Sequence, residues 1–480
     1  MSVADVERKP SRADAVGAFG VVAVGIAACW LTALVVGIGA GNCSAWLAIP
    51  RLCTSLPLGL SAAVCIAALP LFVFAIAGRP LAALLGLYIV LVPIDDALLV
   101  TGGLSITKIV GLAVAIAALA TIVRRRARIN VPYAALAWLV VVAFMALSLW
   151  WSIDPEMSLD NLVTIASAFA LLFVLVIVPM NAQELRIVVF STIFSGAVIG
   201  IVAMALSRHE LSTVAGQVGR LYLSFGTSTL DPNRFGASLL LPIAMTVGAI
   251  GQSRGWTRIS LFAALALALT AVYLSASRGT LVALGVMGLV AVLGMRRRLL
   301  YGSLLVVCAV LLFVIPSEIS TRLYEGTGAS GTGRTDIWRV ALAAFPLHWL
   351  LGTGVGTFVP AYDRAFFLTY QPQFLEWSRD PHNLVMSTAV ELGVVGLVLM
   401  AVALILQYRS VRLITPDAPF PWLRSVFSAA LIGLVVAAMF VDVLATKFSW
   451  LLFTEMLIFA GFAARSSLPA GAAAARTQDG

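Results

Sequence analysis

Long runs of apolar residues, each about the length of one membrane crossing, constrain this chain more than any other feature. A spanning helix needs about 20 mostly apolar residues. Candidate spans fall near 15–38, 57–77, 80–94, 106–123, 132–150, 160–178, 185–206, 235–251, 257–275, 280–295, 299–315, 384–406, 424–441 and 447–464. Hydrophobic residues make up 61% of the 480 and charged residues only 11%, with a mean hydropathy of +1.03. Soluble domains carry about 45–50% apolar and about 25% charged residues. A soluble enzyme, a disordered chain and a secreted disulfide scaffold are therefore excluded. The expected fold is an all-α integral membrane protein, a polytopic helical bundle of about 12–14 spans.

Charge orients the bundle. With a cytoplasmic N-terminus, the inner segments hold 19 of the 31 Lys and Arg residues but only 6 of the 22 acids. Cytoplasmic loops collect cations, so the triplets Arg124–Arg126 and Arg296–Arg298 read as topology anchors beside anionic lipid, not as a nucleic-acid surface. The expected organisation is a cytoplasmic tail (1–14), a transmembrane region (15–206), an extracytoplasmic loop (207–234), and a second transmembrane region (235–315). A large extracytoplasmic loop (316–383), a last transmembrane region (384–464) and a disordered cytoplasmic tail (465–480) complete it. The first apolar run is too long for a signal-peptide core and reads as a retained span. Cys43 and Cys53 share the first external loop, where a disulfide is chemically permitted; Cys29, Cys65 and Cys308 read as small apolar residues of the spans.

Polar chemistry concentrates in the two outer loops. Within 316–383, the stretch Arg334–Phe345 places Ile337, Val340, Ala341, Ala344 and Phe345 at helical spacing before Pro346, the pattern of an interfacial amphipathic helix. All three histidines, His209, His348 and His382, are expected on the outer side. His382 lies in Asp380-Pro-His-Asn383, with Asn383 a candidate cap for the next span. A helix N-terminus disfavours a cation, so an imidazole there stays neutral, as a general base requires. Four arginines accompany it: Arg220, Arg234 in Asp231-Pro-Asn-Arg-Phe-Gly236, Arg278 in the short hairpin Ser275–Gly279, and Arg334 after a glycine-rich run. Guanidinium presents a five-donor fork matched to phosphate oxygens. Singly, each arginine reads best as the partner of a nearby acid; as a set beside His382 they suggest a site for a lipid diphosphate.

Glu391 and Glu455 lie inside apolar spans; they could relay protons in a transporter, but read better as structural bonds between helices or supports for an arginine. The run Gly352-Thr-Gly-Val-Gly356 resembles a nucleotide loop but lacks the preceding strand. The pair Asp95-Asp96 without a further ligand is a weak metal signal, and no metal or cofactor is expected. Trp338, Tyr362, Tyr370, Phe374 and Trp377 offer aromatic surface on which sugar rings could stack.

Four segments in order carry a family resemblance: Asp231–Gly236; Ser277-Arg-Gly279; Gly333–Trp338 leading to Leu351–Phe358; and His382-Asn383 leading to Glu391–Gly396. In these the chain resembles the O-antigen ligase and polysaccharide polymerase superfamily of bacterial envelope glycosyltransferases. The resemblance implies a helical membrane enzyme in the plasma membrane with an outward-facing, metal-independent site. It would move a glycan from a polyprenyl-diphosphate donor, with inversion, to a sugar hydroxyl of a glycan or glycolipid acceptor. Arg278 and Arg334 would hold the diphosphate, with Arg220, Arg234, Asn233 and Asn383 as further substrate contacts. His382 would take or orient the acceptor proton, and Glu391 would support the site. A transporter of lipid-linked saccharide is the main alternative, but no internal repeat accompanies the one-sided crowding of polar residues.

Overall fold

The computed structural model describes residues 78–97, 99–100, 104–126, 130–207, 223–225, 228–293, 334–366 and 379–466. The helices are α1 (Pro80–Leu91), α2 (Ile106–Arg125), α3 (Tyr133–Leu147), α4 (Pro155–Ile177), α5 (Ala182–Ser207), α6 (Pro232–Ser238) and α7 (Leu240–Gln252). They continue as α8 (Gly255–Ser275), α9 (Arg278–Leu293), α10 (Arg334–Ala344), α11 (Phe358–Phe366), α12 (Leu384–Ser410), α13 (Leu423–Ala437) and α14 (Lys447–Ser466). Two short antiparallel hairpins, Leu99–Val100 with Leu104–Ser105 and Leu223–Phe225 with Ser228–Leu230, cap connections of this otherwise helical bundle.

Eight described helices are long and apolar enough to cross a membrane, and three shorter apolar ones, Pro80–Asp95, Arg278–Leu293 and Leu423–Ala437, lie among them. They occupy the expected spans from 80–94 onward; the expected spans 15–38, 57–77 and 299–315 lie outside the described residues, as do Cys43 and Cys53. The chain is an all-α polytopic membrane protein.

Helix α2 shows how the sequence builds such a bundle. Its inner face buries the compact Thr107, Gly111, Val114 and Ala118, while Ile109, Leu112, Ile116, Leu119 and Val123 are exposed. Lipid solvates large apolar side chains as well as protein does, so helix contacts favour small residues that allow close approach. At the crossing of α5 and α8, a Cβ on Gly200 would come within 2.3 Å of the Leu267 carbonyl oxygen. Deeper in the bundle, Trp138 stacks on Phe453 at 4.9 Å and meets Trp450 edge-on at 5.2 Å. The Trp138 indole donates to the Gln407 side-chain oxygen, and the Gln407 amide donates to the Phe453 carbonyl, so this buried polar group has its partners. Glu455, also buried, accepts from the Thr192 hydroxyl at 2.7 Å and ties α14 to α5, the structural role expected of it.

The amphipathic segment 334–345 does form a helix, but its apolar stripe does not lie on lipid. Ile337, Val340, Ala341 and Ala344 pack against Phe358, Ala361, Tyr362 and Ala365 of α11 and Val390 of α12 as a small separate core. Helical periodicity reports that a face is covered, not what covers it. The apolar residues that remain exposed there are Leu342, on the helix but off the predicted stripe, and Leu347, Trp349, Leu350 and Leu351 in the turn that follows. Tyr362 is only 1% exposed and Trp338 is half-buried against this core, so neither offers the sugar-stacking surface expected of them. Tyr370, Phe374 and Trp377 lie outside the described residues.

Candidate active-site cavity

The local chain geometry that builds the site begins at a break in α12. Gly393 has φ 65° and ψ −164°, so the helix is interrupted two residues after Glu391. An interruption strands backbone groups, and at membrane depth they must find protein partners. The segment 349–354 supplies them. Thr353 N–H donates to the Val390 carbonyl at 3.0 Å and Gly354 N–H to the Glu391 carbonyl at 2.8 Å. In the other direction, Val394 N–H donates to the Trp349 carbonyl at 2.8 Å and Val395 N–H to the Leu350 carbonyl at 3.2 Å. The two chains approach so closely that a Cβ on Gly352 would lie 2.2 Å from the Glu391 carbonyl carbon, and one on Gly393 would lie 2.3 Å from the Leu350 oxygen.

This interlock explains the glycine run. Gly352, Gly354 and Gly356 all have positive φ, which L side chains adopt only at a cost. The run is not a phosphate cradle: its backbone is spent on the helix break and on Glu391. Gly356 N–H donates to Glu391 Oε2 at 2.7 Å, and the Ser387 hydroxyl donates to Oε1 at 3.0 Å. The Glu391 carboxylate is thereby fixed in direction, with one face toward a cavity.

That cavity is a polar recess of about 580 Å³. Its wall includes His382, Glu391, Arg234, Asp231, Asp380 and Asp442, with Asn161 and Thr164 of α4 and Lys108 of α2 opposite. The residues come from five well-separated parts of the chain. Because Ser105 and Lys108 at the start of α2 line it and α2 is about 30 Å long, the cavity lies at the end of the bundle opposite the Arg125–Glu184 ion pair.

Each side chain is held locally. Asp231 caps α6, accepting from the N–H groups of Asn233 (2.6 Å) and Arg234 (3.1 Å), which fixes the helix that carries Arg234. His382 has φ 44°, a left-handed backbone that costs a residue with a Cβ about 1–2 kcal/mol. Such cost is typically met where the surrounding structure holds a functional group in place. The next residue, Asn383, caps α12 by accepting from Val385 N–H at 2.9 Å and Met386 N–H at 3.1 Å. Leu384 N–H donates to the Ala438 carbonyl at 2.8 Å, so the turn bearing His382 is anchored to the end of α13. Asp442 sits in the α13–α14 connection. Burial pushes its carboxyl above the ordinary value, Arg234 and the Leu444 and Ala445 N–H groups pull it back, and Asp380 pushes it further up. Arg234 and Asp380 are each within electrostatic reach of Asp442.

The cavity thus gathers three of the sequence-predicted residues: Arg234, His382 and Glu391. Three others fall beside it. Arg278 opens α9 outside the cavity lining, in a hairpin whose Ser277 hydroxyl donates to Asn233 Oδ1 at 2.9 Å; this bond joins the two arginine-bearing segments. Asn233 is thus tied to Ser277, and Asn383 is a helix cap. Arg334 is the first residue of α10, its side chain outside the described set, and Arg220 lies wholly outside the described residues. Sequence reasoning missed Lys108, Asn161, Asp442 and Lys447. Asp442 and Lys447 frame one short polar interruption between two apolar runs, which was the available signal. Asp95, weighed as half of a metal pair, is instead paired with Lys447 Nζ at 2.6 Å.

A polytopic helical membrane protein with one large polar cavity near the end of its bundle is the class that fold and site define. Residues 263–401 match the family model described as O-antigen ligase, which bears out the superfamily resemblance read from the sequence. The matched segment contains His382, Glu391, Arg278 and the 349–357 interlock; Asp95, Lys108, Asn161, Arg234, Asp442 and Lys447 come from outside it. No curated protein matches the chain.

Proposed function

We propose that this protein transfers a glycan from a polyprenyl-diphosphate donor to a sugar hydroxyl on a glycan or glycolipid acceptor, at the outer face of the plasma membrane. The observation that carries this reading is the meeting of Arg234, His382 and Glu391 in one cavity, although 148 residues separate the first from the second. In this reaction the acceptor oxygen attacks the anomeric carbon as the bond to the diphosphate oxygen breaks, so the configuration inverts. Negative charge grows on the leaving diphosphate, and a preorganised guanidinium fork stabilises it more in the transition state than in the ground state. Arg234 lines the cavity for this role, with Arg278 in the adjoining hairpin and Arg334 and Arg220 as further donors. His382 takes the acceptor proton, for a hydroxyl is a poor nucleophile without a base in reach. Glu391, fixed by Gly356 and Ser387, orients acceptor or imidazole from below. The cation-rich end of the bundle lies away from the cavity, and cations favour the cytoplasmic side; this supports an outward-facing site with cytoplasmic termini.

The test uses purified protein in nanodiscs with a polyprenyl-diphosphate glycan and a saccharide acceptor. Release of polyprenyl diphosphate, coupled to acceptor extension and lost in His382→Ala without loss of thermal stability, is the expected result. Undiminished glycolipid movement across vesicles by His382→Ala, with no release of diphosphate by the wild type, would replace transfer with transport.

A further inference from the structure

The ammonium of Lys447 is placed against electrostatic preference. It is the first residue of α14, where the helix dipole disfavours a cation. Its side chain is 12% exposed, within a chain whose helices are packed for lipid. Three acceptors surround it: Asp95 Oδ1 at 2.6 Å, Thr107 Oγ1 at 2.6 Å and Ser105 Oγ at 3.0 Å. An ammonium has three N–H donors, and three acceptors stand within hydrogen-bond distance of this one. Thr107 in turn donates to Asp95, and the Ser105 and Thr107 hydroxyls are bonded at 2.8 Å. The cluster joins the turn after α1, the N-cap of α2 and the start of α14.

On the α14 side, the preceding connection is knit into one unit. The Thr446 hydroxyl donates to the Val443 carbonyl at 2.6 Å, the Ser449 hydroxyl to the Thr446 carbonyl at 2.8 Å, and the Trp450 indole to the Leu444 carbonyl at 2.7 Å. Leu444 N–H holds Asp442 Oδ1 at 3.1 Å. The unit that carries Asp442 is thus rigid with respect to the first turn of α14, and Lys447 is what attaches that turn to α2. Asp95, Lys447, Asp442 and Arg234 all line the same cavity. Asp95, Arg234 and Lys447 also border a recess of about 40 Å³ behind it.

We infer that Lys447, held by Asp95, Ser105 and Thr107, is a positioning residue. It sets where the 441–446 connection stands, and so holds Asp442 against Arg234 across the cavity. The inference rests on the transfer reading, in which Arg234 serves the diphosphate. Lys447 acts on that chemistry through the segment it holds in place, its ammonium being engaged by Asp95, Ser105 and Thr107.

Two measurements on the full chain in nanodiscs test it. In Lys447→Met, kcat is expected to fall by roughly 10–10²-fold through misplacement of the site, with the donor KM little changed. Lys447→Arg, which keeps the ion pair, is expected to recover most of that loss. Amide hydrogen exchange is expected to accelerate in Lys447→Met at 441–446 and at the start of α2, leaving α7 and α8 unchanged. Wild-type kcat in Lys447→Met would overturn the inference. So would a raised donor KM at unchanged kcat, which would make Lys447 a substrate contact, or lost activity with unchanged exchange at 441–446. If the wild type shows no glycan transfer, the function reading fails. The exchange comparison then decides the attachment alone: acceleration confined to those segments supports it, and its absence overturns it.

Discussion

Replacing Gly352 with alanine probes the interlock that presents Glu391. Gly352 has φ 73°, and an added Cβ would stand 2.2 Å from both the carbonyl carbon and the carbonyl oxygen of Glu391. Those are backbone atoms, so no side chain can swing aside. The left-handed conformation alone costs alanine about 1–2 kcal/mol. Relieving the overlap requires the 349–354 segment to withdraw from the break in α12, which endangers four backbone hydrogen bonds of about 1 kcal/mol each. It also endangers the Gly356 N–H bond to the Glu391 carboxyl, worth about 1 kcal/mol more. With partial relaxation, the expected destabilisation is about 3–6 kcal/mol. The measurement is the thermal unfolding midpoint in nanodiscs, paired with donor turnover. Gly251→Ala and Gly285→Ala are the controls, since a Cβ at either meets nothing within 4 Å; both are expected to behave as wild type. A Gly352→Ala protein with the wild-type midpoint and wild-type turnover would refute the claim that the glycine run exists to seat a helix break.

Other expectations can be checked with the same preparations. Glu391→Gln keeps one acceptor oxygen, for Gly356 N–H, and turns an amide donor toward the Ser387 hydroxyl, which can accept it, so the midpoint should hold within about 1 kcal/mol while turnover falls; equal losses in both would make Glu391 purely structural. Arg234→Lys retains the charge yet loses the fork, and should lose most turnover; full activity would reduce Arg234 to a counter-charge for Asp442. Asp442 is pushed above its ordinary value chiefly by burial, so the folded state resists its ionisation. Its penalty is absent below the unfolded value, grows as pH rises between the unfolded and folded values, and is complete above the folded one. Asp442→Asn should therefore raise the unfolding midpoint at neutral pH, with the difference shrinking as pH falls toward the ordinary carboxylate range. A difference that grows on acidification would reverse the sign. Glu455→Gln should keep the unfolding midpoint because Thr192 keeps its acceptor, and Glu455→Leu should lower it only modestly because the Thr192 hydroxyl also reaches the Val188 carbonyl at 3.0 Å.

The sequence determined the membrane architecture by itself. Apolar runs of spanning length have one economical solution in lipid, in which each segment satisfies its own backbone as a helix, and from 80–94 onward the described helices fall on the expected runs. It also marked Glu391 as an acid at membrane depth, and Arg234 and His382 as a phosphate-matched guanidinium and an imidazole beside a helix N-terminus in the outer loops. The tertiary structure alone decided their meeting. The Asn383 cap was legible in Asp380–Asn383, but Asn233 turned inward to Ser277, and Asp442, Lys108 and Asn161 entered the cavity wall without any motif to announce them. The same holds for the glycine run. Its spacing could suggest a phosphate loop, but what its backbone bonds is set by a partner about forty residues away, and local periodicity carries no information about that partner. Local sequence fixes which groups must be satisfied; only packing fixes by whom.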